Sequence, residues 1–181
     1  LPDQDQTGIL LNRCQAGFGN LKERRLHPEP TSLFRSSGQR GFSAIVAGNP
    51  GRVQARKLER EVNVRFTPVS CIIHTHEGTV HAKPGDAILC GIDDEQWRVS
   101  RERFAEKYSP LPPTRDGESG RYVSRRNHVL AVRMSEPFEV LLADGISMLR
   151  GRTRDWLVDY GDGSLGIVTA EIFARTYEIL A

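Results

Sequence analysis

Several things are scarce in this sequence, and each scarcity excludes something. Cysteine occurs only at Cys14, Cys71 and Cys90, and no Cys-x-x-Cys pair exists. That argues against a disulfide scaffold and against a cysteine-built zinc site, and points to a reducing, cytoplasmic setting. No run reaches the roughly 18 apolar residues of a membrane span, so no membrane partner is expected. The start, Leu-Pro-Asp-Gln-Asp-Gln, lacks the features of a signal peptide and an initiator Met. Gly-Lys-Ser/Thr is missing from the glycine-rich stretch 35–41, so that stretch is no phosphate loop. Gly-x-Ser-x-Gly is missing too, which excludes a hydrolase elbow. Aromatics make up only 7% of 181 residues, so a core must lean on aliphatic side chains.

Net charge is small, +2, but it is unevenly placed. Residues 1–60 hold ten Lys/Arg against five Asp/Glu, and residues 61–181 hold fifteen against eighteen. A basic leader over 1–53, rich in Gly and Pro, therefore precedes a slightly acidic body. Thr7 to Leu26 could hold a short helix broken by Gly17 and Gly19. Phe42 to Ala47 reads as a strand stopped by Gly48-Asn49-Pro50-Gly51.

The body reads as two copies of one small unit, 54–110 and 123–181, joined by a linker over 111–122. Adding 69 to a position in the first copy reaches its counterpart in the second. Arg56 falls on Arg125, Pro68 on Pro137, Asp86 on Asp155 and Asp93 on Asp162. Cys71 and Ile73 fall on Val140 and Leu142. The ends agree best: Glu102, Phe104, Ala105 and Tyr108 fall on Glu171, Phe173, Ala174 and Tyr177. Such self-similarity predicts two units of one fold. Each reads as four or five short strands with tight turns, then a short helix capped by Ser100 or Thr169. The expected fold is therefore mainly β, with two tandem curled-sheet or barrel-like units.

Pro84-Gly85-Asp86, Gly91, Trp97, Val99, Phe104 and Tyr108, and the ending Ile172-Phe173-Ala174-Arg175-Thr176-Tyr177-Glu178, resemble a small bacterial and phage domain family with a Pro-Gly-Asp-Tyr/Trp signature (PGDYG-like). The resemblance covers 56–110 and 125–180. The second copy has Asp155-Trp156-Leu157-Val158 but Thr153-Arg154 in place of Pro-Gly, and the first has Ala87 at the aromatic place. The motif residues are read as makers of the fold, namely a turn, a turn carboxylate and core aromatics. The resemblance implies no activity.

Chemistry is expected in two places. With Glu77-Gly78 as a two-residue turn, His74 would lie across from His81 and His76 across from Thr79, so three imidazoles would share one open face. Such a trio would suit a divalent zinc, iron, nickel or manganese ion, or acid–base catalysis near neutral pH. Glu77 has the wrong parity to join them, and the cupin pattern of glycines is missing. The matching positions Ala143, Gly145 and Arg150 retain no histidine. In the second copy, Arg150, Arg152 and Arg154 share strand parity. With Trp156 or Tyr160, and with Arg125 and Arg126, they could form a cationic face for a phosphate. Asp159, Asp162 and Asp144 could bind a cation, but Asp159-Tyr160-Gly161-Asp162-Gly163 reads first as a hairpin turn; Cys71 and Cys90 read as core, and so does Trp97. The leading expectation is a non-catalytic protein binding an anionic small molecule or nucleic acid in a basic groove between the units. The alternative is an enzyme using the His74/His76/His81 face. A protein partner, a homodimer, or a structural subunit threaded by its leader completes the list of roles.

Overall fold

Strands form where β-branched and aliphatic residues alternate with polar ones, and Gly, Pro and Asp punctuate them. The computed structural model describes residues 32–91 and 95–180. The helix expected between Thr7 and Leu26 and the turn at Asp93 lie outside the described residues. In chain order the elements are β1 (Ser32–Arg35), α1 (Ala44–Ala47), β2 (Arg52–Lys57), β3 (Glu61–Phe66), β4 (Cys71–Thr75), β5 (Gly78–Ala82), β6 (Ala87–Cys90), β7 (Gln96–Val99), α2 (Arg101–Lys107) and β8 (Tyr108–Pro110). There follow β9 (Gly120–Ser124), β10 (Asn127–Arg133), β11 (Phe138–Leu141), β12 (Met148–Gly151), β13 (Trp156–Asp159), β14 (Leu165–Val168), α3 (Ala170–Thr176) and β15 (Tyr177–Ile179).

These make three five-stranded sheets. Sheet I runs β1-β11-β12-β5-β4, sheet II β14-β13-β10-β2-β15 and sheet III β7-β6-β3-β9-β8. None closes into a barrel or curls on itself, and among the described residues three helices accompany them. The fold is mixed α/β, which corrects the expectation of mainly β, curled or barrel-like units. The physical reason lies in the strand order. The strand that would pair beside β3 within the first half, β2, lies instead between β10 and β15. Conversely β9 lies between β3 and β8.

Sheet I covers one face of both other sheets, and α2 and α3 cover the opposite faces. Val46 of α1, Leu130, Val132, Phe138, Val140, Leu157, Leu165 and Ile167 fill the space between sheets I and II. Ile73, Val80, Ala82 and Ile88 fill that between sheets I and III, and Leu142 and Leu149 touch both clusters. Beneath α3, Phe173 stacks between Trp156 and Tyr177, at 4.1 and 4.7 Å between ring centroids. Beneath α2, Phe104 stacks on Tyr108 at 4.8 Å and meets Tyr122 edge-on. Within the apolar run 42–47, expected as a strand, Ala44–Ala47 form a helix with Val46 in the core. Four residues between Ser43 and Gly48 are too few to reveal a helical period.

Elements recur along the chain. β6, β7, α2 and β8 begin at 87, 96, 101 and 108, and β13, β14, α3 and β15 begin 69 residues later, at 156, 165, 170 and 177. Upstream of β5 the spacing is 67. Tyr108 faces Ser124, whereas Tyr177, 69 residues later, faces Lys57, which stands 67 residues before Ser124. The two-residue difference arises in a hairpin. Thr75 pairs with Gly78 around a two-residue turn, whereas Leu142 pairs with Ser147 around residues 143–146. A single offset of 69 therefore does not run through the ladders: at 67, Cys71 and Ile73 on β4 stand with Phe138 and Val140 on β11. Downstream, Asp86 and Asp155 stand 69 apart and make the same main-chain bond. Asp86 Oδ2 accepts from the Lys83 N–H and Asp155 Oδ2 from the Arg152 N–H, each at 2.8 Å.

Candidate functional site: a cationic cleft where the sheets cross

The histidine hairpin does not form as expected. The turn is His76-Glu77, so His74 faces Thr79 and His81 faces Ile72. Thr75 fixes this choice, because its Oγ1 accepts from the Glu77 and Gly78 N–H groups and donates to the Gly78 carbonyl. Gly78 then stays in β5, where β12 comes so close that a Cβ would stand 2.5 Å from the Met148 carbonyl oxygen. His74, His76 and His81 are all exposed. Among the described residues no group of three His, Cys, Asp or Glu could hold a metal ion. The reading of the trio as a metal site is corrected: His76 sits in the turn, and only His74 and His81 share the sheet face.

The arginine stripe is also dispersed. Arg150 lies on β12 and pairs with Glu139 at 2.9 Å. Arg152 and Arg154 lie beyond β12 in the turn before Asp155. Trp156 packs on Phe173 in the core. Arg125 and Arg126, in contrast, lie side by side on the segment that carries the chain from β9 in sheet III to β10 in sheet II.

That crossing borders a cleft of about 250 Å³ lined by Arg40, Glu106, Lys107, Arg125, Arg126, Asn127, Tyr160, Gly161 and Asp162. Four side chains are cationic and two are carboxylates. Lys107 comes from the last turn of α2, and Tyr160 to Asp162 from the turn between β13 and β14. Lys107 Nζ is 2.6 Å from Asp162 Oδ2 and 4.7 Å from the centroid of the Tyr160 ring. Arg103 adds a bond to the Asp162 carbonyl at 3.0 Å. Burial alone would raise the Asp162 carboxyl. The Lys107 ammonium and the Ser164 hydroxyl outweigh it and hold the pKa below the ordinary carboxylate range. Arg40 pairs with Glu106 at 2.5 Å and Arg126 with Glu59 at 3.4 Å, both exposed pairs worth at most about 1 kcal/mol.

Arg125 differs from its neighbours. Its guanidinium donates to Ser109 Oγ at 2.9 Å and to the Glu106 carbonyl at 3.2 Å. Both acceptors are neutral, and among the described residues no carboxylate pairs with it. It is a cation oriented by neutral groups.

Behind the cleft, Lys57 Nζ lies 3.5 Å from Tyr108 Oη and 5.6 Å from the Trp97 ring centroid. Burial works against its charge, but the Tyr108 and Tyr160 oxygens prevail and its pKa stands above that of an ordinary lysine. Tyr177 is pushed well above an ordinary phenol, first by burial and then by Tyr160. The arginines at 125 and 126 were legible as a basic pair. Arg40, Lys107 and Asp162 were not identified as their neighbours, because they lie on three distant segments.

Residues 78–178, more than half of the chain, match the family described as PGDYG protein. The chain belongs to that family. The match is one continuous region that starts at β5 and includes Pro84-Gly85-Asp86. β2, β3 and β4 lie upstream of it, although each fills a place in a sheet that the matched region completes. No curated protein and no solved structure matches the chain. No helix among the described residues is long and apolar enough to cross a membrane.

Proposed function

We propose that this chain is a non-catalytic binding protein that takes a small phosphate-bearing ligand in the cleft around Arg125. The observation that carries this reading is the Arg125 guanidinium, held in place by neutral acceptors and lacking a carboxylate, beside Lys107 and Arg126. A planar, always-charged fork suits phosphate oxygens, and the Asn127 amide and Tyr160 ring offer polar and stacking contacts. The size of the cleft favours a single phosphorylated group over a nucleic-acid strand, which needs a longer cationic track.

We also read the body as a tandem duplication, with units over 54–110 and 123–181. The recurrence of elements, the matching Asp86 and Asp155 turns and the like pairing of Tyr108 with Ser124 and of Tyr177 with Lys57 support it. The cleft then lies at the junction of the units. It draws Lys107 from the end of the first and Tyr160 from the second.

Calorimetric titration with inorganic phosphate, pyrophosphate and AMP at fixed ionic strength tests the binding reading. Saturable binding of at least one, weakened about tenfold or more by Arg125→Ala, is expected. No binding by the intact protein, or binding indifferent to Arg125→Ala and Arg126→Ala, would refute it. Binding of an oligonucleotide alone, with a steep salt dependence, would move the ligand to nucleic acid.

A further inference from the structure

Each outer sheet contains one strand from the other half of the body. β2 is hydrogen-bonded on one side to β10 and on the other to β15, and β9 to β3 and β8. The visiting strands are central to packing, for Ala55 on β2 and Tyr122 on β9 are fully buried. The two connections run against each other where they cross. Ser124 donates its N–H to the Arg60 carbonyl at 2.9 Å and its hydroxyl to the Leu58 carbonyl at 3.2 Å, while the Arg60 N–H donates to Ser124 Oγ at 3.0 Å. The Leu58 N–H reaches the Thr176 carbonyl and the Arg125 N–H reaches the Lys107 carbonyl, at 2.9 and 2.7 Å. In sheet I the halves meet again, with Thr79 opposite Met148, residues that stand 69 apart.

We infer that residues 52–110 and 120–179 are the two halves of a fused, strand-exchanged dimer. Each half leaves a slot between two of its own strands, β3 and β8 in one, β10 and β15 in the other. The occupant of each slot is the first strand of the other half. The slot recognises an extended segment through main-chain hydrogen bonds and a buried side chain at its middle, which is recognition by strand addition. Such a pair does not depend on the covalent link at 111–119. This inference stands apart from the anion reading, and either can fail without the other.

The test uses the full chain. A protease recognition sequence is inserted between Asp116 and Gly117, at the exposed tip of the link, and the folded protein is cut. The two fragments should co-elute at the position of the uncut protein, keep its circular dichroism, and separate only in denaturant. A second measurement identifies the exchange itself. The Gln54 carbonyl and the Leu58 N–H bond toward β15, so Arg56 and His128 form a non-hydrogen-bonded cross-strand pair between β2 and β10. Cα atoms of such a pair stand about 4.5 Å apart, within disulfide reach. With Cys14, Cys71 and Cys90 replaced by serine, Arg56→Cys/His128→Cys should oxidise and join the cut fragments on a non-reducing denaturing gel. If β2 paired within its own half, the neighbour of Arg56 would be Glu61, the equivalent of His128. Closure of Arg56→Cys/Glu61→Cys with no link through His128→Cys would overturn the inference. So would fragments that part under native conditions.

Discussion

Replacing Arg154 by glycine is expected to stabilise the protein. Arg154 has φ 79°, the one positive value at a non-glycine among the described residues. Gly85, 69 residues earlier, has φ 86°. Both residues sit in the same turn, each followed by an aspartate that accepts a main-chain N–H. An L-residue in left-handed backbone costs about 1–2 kcal/mol. Glycine returns about 0.5–1 kcal/mol of that through the freedom of its unfolded chain. Among the described residues the exposed Arg154 side chain makes no ion pair that would be lost. The net gain is about 0.5–1 kcal/mol, or about 1–4 °C in Tm for a chain of this length. Gly85→Ala should lose a similar amount. The nearest atom to an added Cβ is Arg101 Cδ at 3.6 Å, an ordinary contact, so the loss comes from the backbone. Urea and thermal unfolding of the full chain measure both. A destabilised Arg154→Gly, or a Gly85→Ala as stable as the parent, would refute the shared turn geometry.

Other outcomes follow from the same contacts. Asp86→Ala should cost about 3 kcal/mol or more, because it strands the poorly exposed Arg98 that Asp86 holds at 2.6 Å. Asp155→Ala, which loses a turn acceptor alone, should cost about 1 kcal/mol in the same unfolding assay. The depressed Asp162 carboxyl contributes stability that is present above its unfolded pKa and lost as pH falls through its lower folded value. Asp162→Asn should therefore flatten the acid limb of a stability–pH curve. His74→Ala/His76→Ala should shift stability by no more than about 0.5 kcal/mol, as both residues are exposed, and a larger loss would reveal contacts that the hairpin does not display.

Much of the local structure was legible in the sequence. The pattern around Pro84-Gly85-Asp86 predicted the turn before β6, and Ser100 and Thr169 stand at the N-caps of α2 and α3. Thr169 Oγ1 accepts from the Ile172 N–H, whereas Ser100 makes no such side-chain bond. What alternation cannot specify is a strand's partner. The pattern of β2 buries Ala55 whether it pairs with β3 or with β10, so the exchange was invisible. The two-residue difference between the hairpin loops went unseen for a related reason. An even shift keeps every side chain on its face, so apolar classes agree at an offset of 69 although the ladders recur at 67. The same parity hid the change of turn from Glu77-Gly78 to His76-Glu77. The cleft depends on the crossing of two sheets, and its members stand up to 122 residues apart, between Arg40 and Asp162.

The binding account is tested most directly by following backbone amide resonances of the ¹⁵N-labelled full chain during titration with pyrophosphate at low salt. The account predicts saturable shifts gathered at Lys107, Arg125, Arg126, Asn127 and Gly161, absent in Arg125→Ala. Shifts confined to the Arg150 strand or to the histidine hairpin, or no saturable shifts at all, would contradict it.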